Sequence, residues 1–231
     1  MSEIHFIGGE KGGVGKSVVA RLLAQYWIDR EQFWIGYDGD LSHGALLRHY
    51  SDYAIPLDIE RLEELDRLIE QAATEPDGRL LVDLPAQSER HLHAWLESAD
   101  VPALTAELEV GLRLWHVMDD GKDSLQLLER LLGRYGGQVG YVVVLNLGRG
   151  GDFELFERSG LADRLEALQA PVLQLRALHA PTMRKIDRLD KSHWGAIHNR
   201  DESEDSLGLI ERQRTKVWLK HAYGEFQRAG I

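Results

Sequence analysis

The chain alternates between short apolar runs and longer segments in which apolar residues recur with helical spacing. The run "IHFIGG" at 4–9 leads into a glycine-rich turn, and "SVVARLLAQYWIDR" at 17–30 follows with apolar residues three and four positions apart. This pattern predicts a strand, a loop and a helix in that order. Further strands are predicted at 33–38, 78–85, 112–120, 138–146 and 170–178, with helices at 61–74, 123–136, 153–169 and 217–227.

The predicted strands are apolar almost throughout, as in "GRLLVDLP" and "QVGYVVVLN". Strands of this kind are covered by helices on both faces, so the sequence predicts an α/β fold with a doubly wound, mainly parallel sheet. We expect one domain over 1–231, because the chain shows neither an internal repeat nor a low-complexity linker. The acidic stretch "NRDESEDS" at 199–206 is predicted to be an exposed loop.

The composition of the chain excludes several kinds of functional site and several classes of protein. The chain has no cysteine, which excludes disulfides, a cysteine nucleophile and thiolate metal sites. No apolar run approaches the roughly 20 residues of a membrane span and no signal peptide is recognisable, so we expect a cytoplasmic protein without stable membrane insertion. The net charge of −11 opposes indiscriminate nucleic-acid binding, although residues 171–231 carry 11 Lys and Arg against 8 Asp and Glu.

The stretch "GEKGGVGKS" at 9–17 has the composition of a phosphate-binding loop. Its glycines let backbone N–H groups point at an anion, Lys16 reaches the terminal phosphates, and the Ser17 hydroxyl suits Mg²⁺. Glu10 stands where the strict G-x-x-x-x-G-K-S pattern has its first glycine. A glycine-rich turn without function is the alternative, and the strand before and helix after argue against it.

The pattern K-G-G-x-x-G-K-S resembles the deviant Walker motif of the ParA/MinD family of P-loop ATPases. The resemblance implies that the extra lysine, Lys11, reaches the phosphates bound by the other chain of an ATP-dependent homodimer, comparable to an arginine finger. A solvated loop lysine is the alternative for Lys11. The closest likeness is to the short MobD/StbB-like members associated with plasmid mobilisation and stabilisation.

The same resemblance assigns three carboxylates that follow predicted strands. In "YDGDLSHGALL" Asp40 would position the attacking water and Asp38 would lie near Mg²⁺; in "LLVDLPAQ" Asp83 would be linked to the metal. Leu41 and Ser42 replace the family's proline and glutamine, and Gln87 replaces a glycine. A plain Asp-Gly-Asp turn and a strand cap are the respective alternatives.

Asn146, at the end of "VVVLN", would contact adenine in the resemblance, whereas an ordinary strand-ending turn is the alternative. Asp119 and Asp120 in "VMDDGKDS" are predicted to cap the following helix rather than to catalyse. The ten histidines show no tight ligand spacing, so no transition-metal site is predicted. The C-terminal helix is expected to pack onto the domain, with membrane targeting as the alternative.

The sequence therefore predicts a homodimerising ATPase that uses ATP and Mg²⁺ to position cargo, such as plasmid DNA or a protein assembly. The alternatives are a P-loop metabolic enzyme of the dethiobiotin synthetase or amide-ligase kind, and a nucleotide-binding regulator without hydrolysis. The stretch 183–200, with Arg184, Lys185, Arg188, Lys191 and Arg200, is the candidate surface for non-sequence-specific DNA, against the alternative of a solvated helix face. The assigned residues are Lys11, Lys16 and Asp40 for catalysis, Gly12, Gly13, Val14, Gly15, Lys16, Ser17, Val18 and Asn146 for nucleotide, and Ser17, Asp38 and Asp83 for metal.

Overall fold

The computed structural model describes residues 1–201 and 206–231. All strands in this part of the chain belong to one seven-stranded sheet. The strands are β1 (Glu3–Gly8), β2 (Trp34–Asp38), β3 (Ala54–Pro56), β4 (Arg79–Asp83), β5 (Gly111–Met118), β6 (Gly140–Asn146) and β7 (Val172–Leu175).

Helices connect the strands and cover the sheet on both faces. They are α1 (Lys16–Ile28), α2 (Ala45–His49), α3 (Leu62–Thr74), α4 (Glu89–Ser98), α5 (Val101–Glu107), α6 (Lys122–Tyr135), α7 (Glu154–Glu157), α8 (Leu161–Ala167), α9 (Ala180–Leu189), α10 (His193–His198) and α11 (Leu209–Arg228). The predicted doubly wound α/β architecture is confirmed, and every strand pair is parallel.

The strand order β3-β2-β4-β1-β5-β6-β7 places β1 near the centre. Because parallel strands end at the same edge of a sheet, the loops after β2, β4, β1, β5 and β6 lie side by side in that order. Asp38 and Asp83 are directly paired in the β2–β4 register. The candidate residues of five separate sequence motifs therefore meet along one edge.

Two hydrophobic clusters form the core, one on each face of the sheet. Alternate residues of a strand supply opposite clusters: Phe6 joins the cluster with α3, α4 and α6, and Ile7 joins the cluster with α1 and α11. The first turns of α1 are buried, and this packing fixes the helix that follows the glycine-rich loop.

The structure departs from the predicted elements at β3 and at 153–169. The strand β3 is missed because it is a three-residue edge strand that ends in proline and exposes Ile55. The single helix predicted at 153–169 is wrong: Gly160 has φ +74° and separates α7 from α8. The acidic stretch at 199–206 lies partly outside the described residues.

The C-terminal helix is longer than predicted. α11 begins at Leu209 and packs Trp218, Leu219, Ala222 and Phe226 into the core beside α1 and β7. In the described ranges no helix combines the length and the apolarity that crossing a membrane requires.

Candidate functional site

The glycine-rich loop joins β1 to α1 at the centre of the sheet edge. Gly13 and Gly15 have φ of +77° and +105°, a left-handed conformation that glycine adopts without strain. The backbone N–H groups of Gly13, Gly15 and Lys16 donate to no backbone carbonyl of the described chain. Free amides at the start of a helix form an anion site, and the loop has the geometry to receive phosphate.

Lys16 is the first residue of α1 and only 7% exposed. Its Nζ donates a 3.0 Å hydrogen bond to the Lys11 carbonyl oxygen, so the ammonium lies against the loop. Burial lowers the pKa of Lys16, while the carboxylates of Asp83 and Glu10 oppose that shift. A buried cation without a close carboxylate partner suits an incoming anion.

Asp83, at the end of β4, is buried beside the Ser17 hydroxyl. Burial, and then the neighbouring Asp38 carboxylate, raise the pKa of Asp83 to about 7. Its Oδ1 has no hydrogen-bond partner in the described chain. A buried carboxylate oxygen left without a donor, next to a hydroxyl and a second carboxylate, fits a divalent cation.

The described residues contain no group of three or more carboxylate, imidazole or thiol side chains that could hold a metal by themselves. This agrees with the way Mg²⁺ is bound at nucleotide sites, through one or two carboxylates while phosphates and water supply the remaining ligands. Ser17, Asp38 and Asp83 are together in the structure, so they fit Mg²⁺ delivered with a nucleotide.

Asp38 is fully buried and anchors the loop that follows β2. Its Oδ1 accepts from the Asp40 N–H at 3.1 Å, and its Oδ2 accepts from the Leu47 N–H at 3.0 Å. Burial raises the pKa of Asp38 in spite of these hydrogen bonds. Asp38 therefore holds the loop in place as well as lying beside Asp83.

Asp40 lies in that loop with one carboxylate oxygen engaged. Its Oδ1 accepts from the Ser42 N–H and hydroxyl and from the His43 N–H, at 3.1, 2.8 and 2.9 Å. Partial burial acts to raise the pKa of Asp40, but the hydrogen bonds from His43 and Ser42 outweigh it, so the pKa is lowered. Ser42, which departs from the family pattern, thus orients Asp40 and leaves Oδ2 available.

Lys11 does not lie over its own loop. Its Nζ forms a 2.6 Å ion pair with Asp119 Oδ2 at the end of β5. Asp119 also accepts from the Gly121 N–H and the Ser124 hydroxyl through Oδ1, which ties it to the start of α6, but no side chain of the described chain caps the backbone N–H groups of the first turn as predicted. The pairing with Lys11 was not predicted from the sequence.

Asn146, at the end of β6, is buried against the loop. Its Nδ2 donates to the Val14 carbonyl at 2.7 Å, and its Oδ1 accepts from the Gly148 N–H at 3.0 Å. A Cβ at position 15 would lie 2.3 Å from Nδ2, which gives a second reason for Gly15. A cavity of about 230 Å³ lies beside Asn146 and Val18 and is also lined by residues 175–178 and Met183.

Glu10 and Gln87 join the phosphate loop to the loop after β4. The Gln87 N–H donates to the Glu10 carbonyl at 3.3 Å, and the Glu89 N–H donates to Glu10 Oε2 at 3.2 Å. Gln87 has φ +61°, the conformation that the family's glycine would adopt freely. The glutamine therefore keeps the glycine-like turn at some conformational cost, and Glu10 has a structural role that its departure from the motif did not suggest.

The predicted basic stretch at 183–200 is partly neutralised. Lys185 pairs with Glu211 at 2.9 Å and Lys191 with Asp201 at 3.5 Å, while Trp194 is 56% exposed. On α11, by contrast, the exposed side chains of Arg214, Lys216 and Lys220 form no hydrogen bond or ion pair with another residue of the described chain. Sequence reasoning missed these cations because pairing depends on tertiary contacts.

No family model matches the chain. It is 26% identical to Protein TraL of Escherichia coli over a 242-residue alignment that covers the whole of both chains. It is 27% identical to Protein MobD of Acidithiobacillus ferrooxidans over 167 residues, 71% of this chain and 72% of MobD. In structure it is similar to the septum site-determining protein MinD of Pyrococcus horikoshii, solved with Mg-ADP, at a TM-score of 0.53 and 16% identity over 96% and 95% of the chains.

The MinD likeness shows the fold, and the two sequence relatives agree with the MobD-like kind that the motifs suggest. The predicted resemblance is therefore confirmed: the chain has the fold of the ParA/MinD ATPases and is similar in sequence to TraL and MobD.

Proposed function

We propose that this protein is an ATP-dependent dimerising switch that hydrolyses ATP and thereby positions or partitions a cargo. The observation that carries the proposal is the orphaned Asp83 carboxylate oxygen beside Ser17, at the start of the helix that follows a loop with free amides. This site suits a nucleoside triphosphate bound with Mg²⁺. The Lys16 ammonium and the loop N–H groups complement phosphate, and the Asp83 carboxylate complements the metal.

Separate residues of the site would bind the phosphates, Mg²⁺ and the attacking water. The loop amides and Lys16 hold the phosphates, Ser17 and Asp83 would hold Mg²⁺, and Asp38 supports both the metal side and the loop carrying Asp40. When bound, Mg²⁺ supplies neutralisation of phosphate charge. Asp40, through Oδ2, would orient a water toward the γ-phosphate, in line with the roles of carboxylates at such sites.

The base would occupy the cavity beside Val18 and Asn146. The amide of Asn146 already makes two hydrogen bonds, but its second N–H and second lone pair remain for a purine edge. We assign ATP on this basis, with Asn146 both bracing the loop and contacting the base.

ATP turnover tests the proposal directly. The intact protein should release phosphate from ATP in the presence of Mg²⁺, and Asp40→Ala should reduce that rate by about a hundredfold or more, because a water-orienting group contributes 10²–10⁴-fold. Phosphate release is measured under single-turnover conditions, with Asp52→Ala, an exposed aspartate between α2 and β3, as the matched control. Equal rates in the intact protein and Asp40→Ala would instead favour a nucleotide-binding regulator or another chemistry.

Non-sequence-specific DNA is the proposed partner whose contact surface can be tested. We expect the ATP form to bind duplex DNA with a steep salt dependence, and Lys216→Glu with Lys220→Glu to reduce the slope of log K against log salt by about two for each engaged chain. The readout is fluorescence anisotropy of a labelled duplex over a salt series. Arg67→Glu with Arg90→Glu, exposed cations on α3 and α4, is the matched control.

Two results would contradict the DNA proposal. Absence of binding by the ATP form at low salt would leave a protein partner or cargo adaptor as the better choice. An equal loss in the α3 and α4 control would show that the effect is net charge rather than the α11 surface.

A further inference from the structure

Asp119 presents an anchored carboxylate to Lys11. One oxygen, Oδ1, accepts from the Ser124 hydroxyl at 2.6 Å and from the Gly121 N–H at 3.2 Å. The other, Oδ2, lies 2.6 Å from Lys11 Nζ. Because the start of α6 holds the Asp119 carboxylate in place, the ion pair can break by movement of the Lys11 side chain alone.

The surroundings favour the ion pair over a free lysine. The hydrogen bond that Lys11 donates to Asp119 raises the pKa of Lys11, and the charges of Asp123 and Asp120 act in the same direction. A Cβ at position 121 would lie 3.1 Å from Lys11 Nζ, so a glycine there gives the ammonium its room. The backbone of Lys11 is held as well, since its carbonyl accepts from Lys16 Nζ.

We propose that Asp119 is a positioning residue that holds Lys11 within its own chain in the nucleotide-free state and so sets how strongly ATP drives two chains together. This inference rests on the proposed function, an ATP-driven dimer, and on the role that the family resemblance implies for Lys11, contact with the nucleotide bound by a second chain. Lys11 must then leave Asp119 before it can reach that nucleotide. Each dimer breaks two such pairs, one in each chain.

The exposure of the pair sets the size of the effect. Lys11 is 38% exposed and Asp119 16%, so solvent screens the attraction and a triphosphate can compete for the lysine. Pairs of this kind change an equilibrium by roughly 1.4- to 5-fold. With two pairs broken for each dimer, removing Asp119 should strengthen ATP-dependent dimerisation by roughly two- to thirtyfold.

The first test needs no dimer. Lys11 acylation by an amine-reactive ester is followed by mass spectrometry in the nucleotide-free protein, with Lys122 as internal reference. Asp119→Asn should accelerate acylation of Lys11 by roughly two- to fivefold, because the asparagine is nearly the same size as the aspartate and removes the charge. The control is Asp120→Asn. The Asp120 carboxylate accepts from the Gly151 N–H and not from Lys11, so this substitution should have a smaller effect. Unchanged Lys11 reactivity in Asp119→Asn would overturn the inference whatever the chain does with ATP.

The second test is a double-mutant cycle on dimerisation, measured by sedimentation with ATP and Mg²⁺ in the Asp40→Ala background. Asp119→Asn should tighten the dimer when Lys11 is present and have no effect in Lys11→Ala. Gly121→Ala, which crowds Lys11 without removing charge, should act in the same direction as Asp119→Asn. A normal ATP dimer that Asp119→Asn leaves unchanged or weakens contradicts the positioning role, whereas the absence of any ATP dimer in the parent protein contradicts the proposed function itself.

Discussion

Replacing Lys16 with alanine is expected to abolish the stabilisation that ATP with Mg²⁺ gives the folded chain. A ligand that binds only the folded state adds RT ln(1 + [L]/Kd) to the free energy of unfolding, about 2.7 kcal/mol at a hundredfold excess over Kd. For a chain of this length that corresponds to roughly 5–10 °C in melting temperature. Lys16 is the buried cation of the loop, so its loss leaves the phosphates with backbone donors alone.

The melting experiment compares the intact protein, Lys16→Ala and the exposed control Lys122→Ala, each with and without ATP and Mg²⁺. The two variants should melt close to the intact protein when nucleotide is absent, because burial of Lys16 carries a desolvation cost that alanine avoids. A full ATP shift in Lys16→Ala would show that the glycine-rich loop is not the phosphate site. Equal shifts from GTP and ATP in the intact protein would make the adenine assignment wrong.

The sequence predicted the fold because its signals are local. The apolar run before Gly9, the helical spacing after Ser17 and the polar residues that end β2, β4 and β6 each follow from short-range patterns. Once the strands are taken as parallel, their ends meet at one edge, which brings Asp38 and Asp83 to the same edge; their direct pairing follows from the strand order that the structure shows. The single-domain organisation and the residue roles remain predictions.

The contacts that decide what each residue does were beyond sequence reasoning. Lys11 and Asp119 are 108 positions apart, and nothing in either motif indicates that they pair. Asn146 braces Val14 from a strand more than a hundred residues away. In both cases a polar side chain meets a backbone or side-chain group whose position depends on the packing of the sheet, which no local pattern encodes.

The same reason explains why Glu10 and Gln87 stand where the family pattern has glycine. Glu10 occupies a glycine position because it accepts hydrogen bonds from the loop after β4, and Gln87 adopts a left-handed conformation in that loop. The glycine-rich loop and the loop that follows Asp83 are therefore tied together directly. In a switch, a shift of either loop on nucleotide binding would be transmitted to the other through Glu10.

Replacing Lys11 with alanine is expected to separate nucleotide binding from dimerisation. The chain keeps Lys16, Ser17 and the loop amides, so ATP should bind a single chain nearly as before. A dimer, however, brings two triphosphates close together. The Lys11→Ala dimer lacks the charge-assisted contact from each chain to the triphosphate bound by the other. Two such contacts correspond to a weakening of the ATP dimer by about a hundredfold or more.

Light scattering in the Asp40→Ala background, where ATP persists, measures the dimer, and a melting shift measures binding in the same samples. Lys11→Arg should retain part of the dimer because the cation remains, and Lys216→Ala on α11 should leave it unchanged. If Lys11→Ala binds ATP and still dimerises as well as its parent, Lys11 has no role in the partner's site, and its pairing with Asp119 is then simply a tie between the phosphate loop and the end of β5.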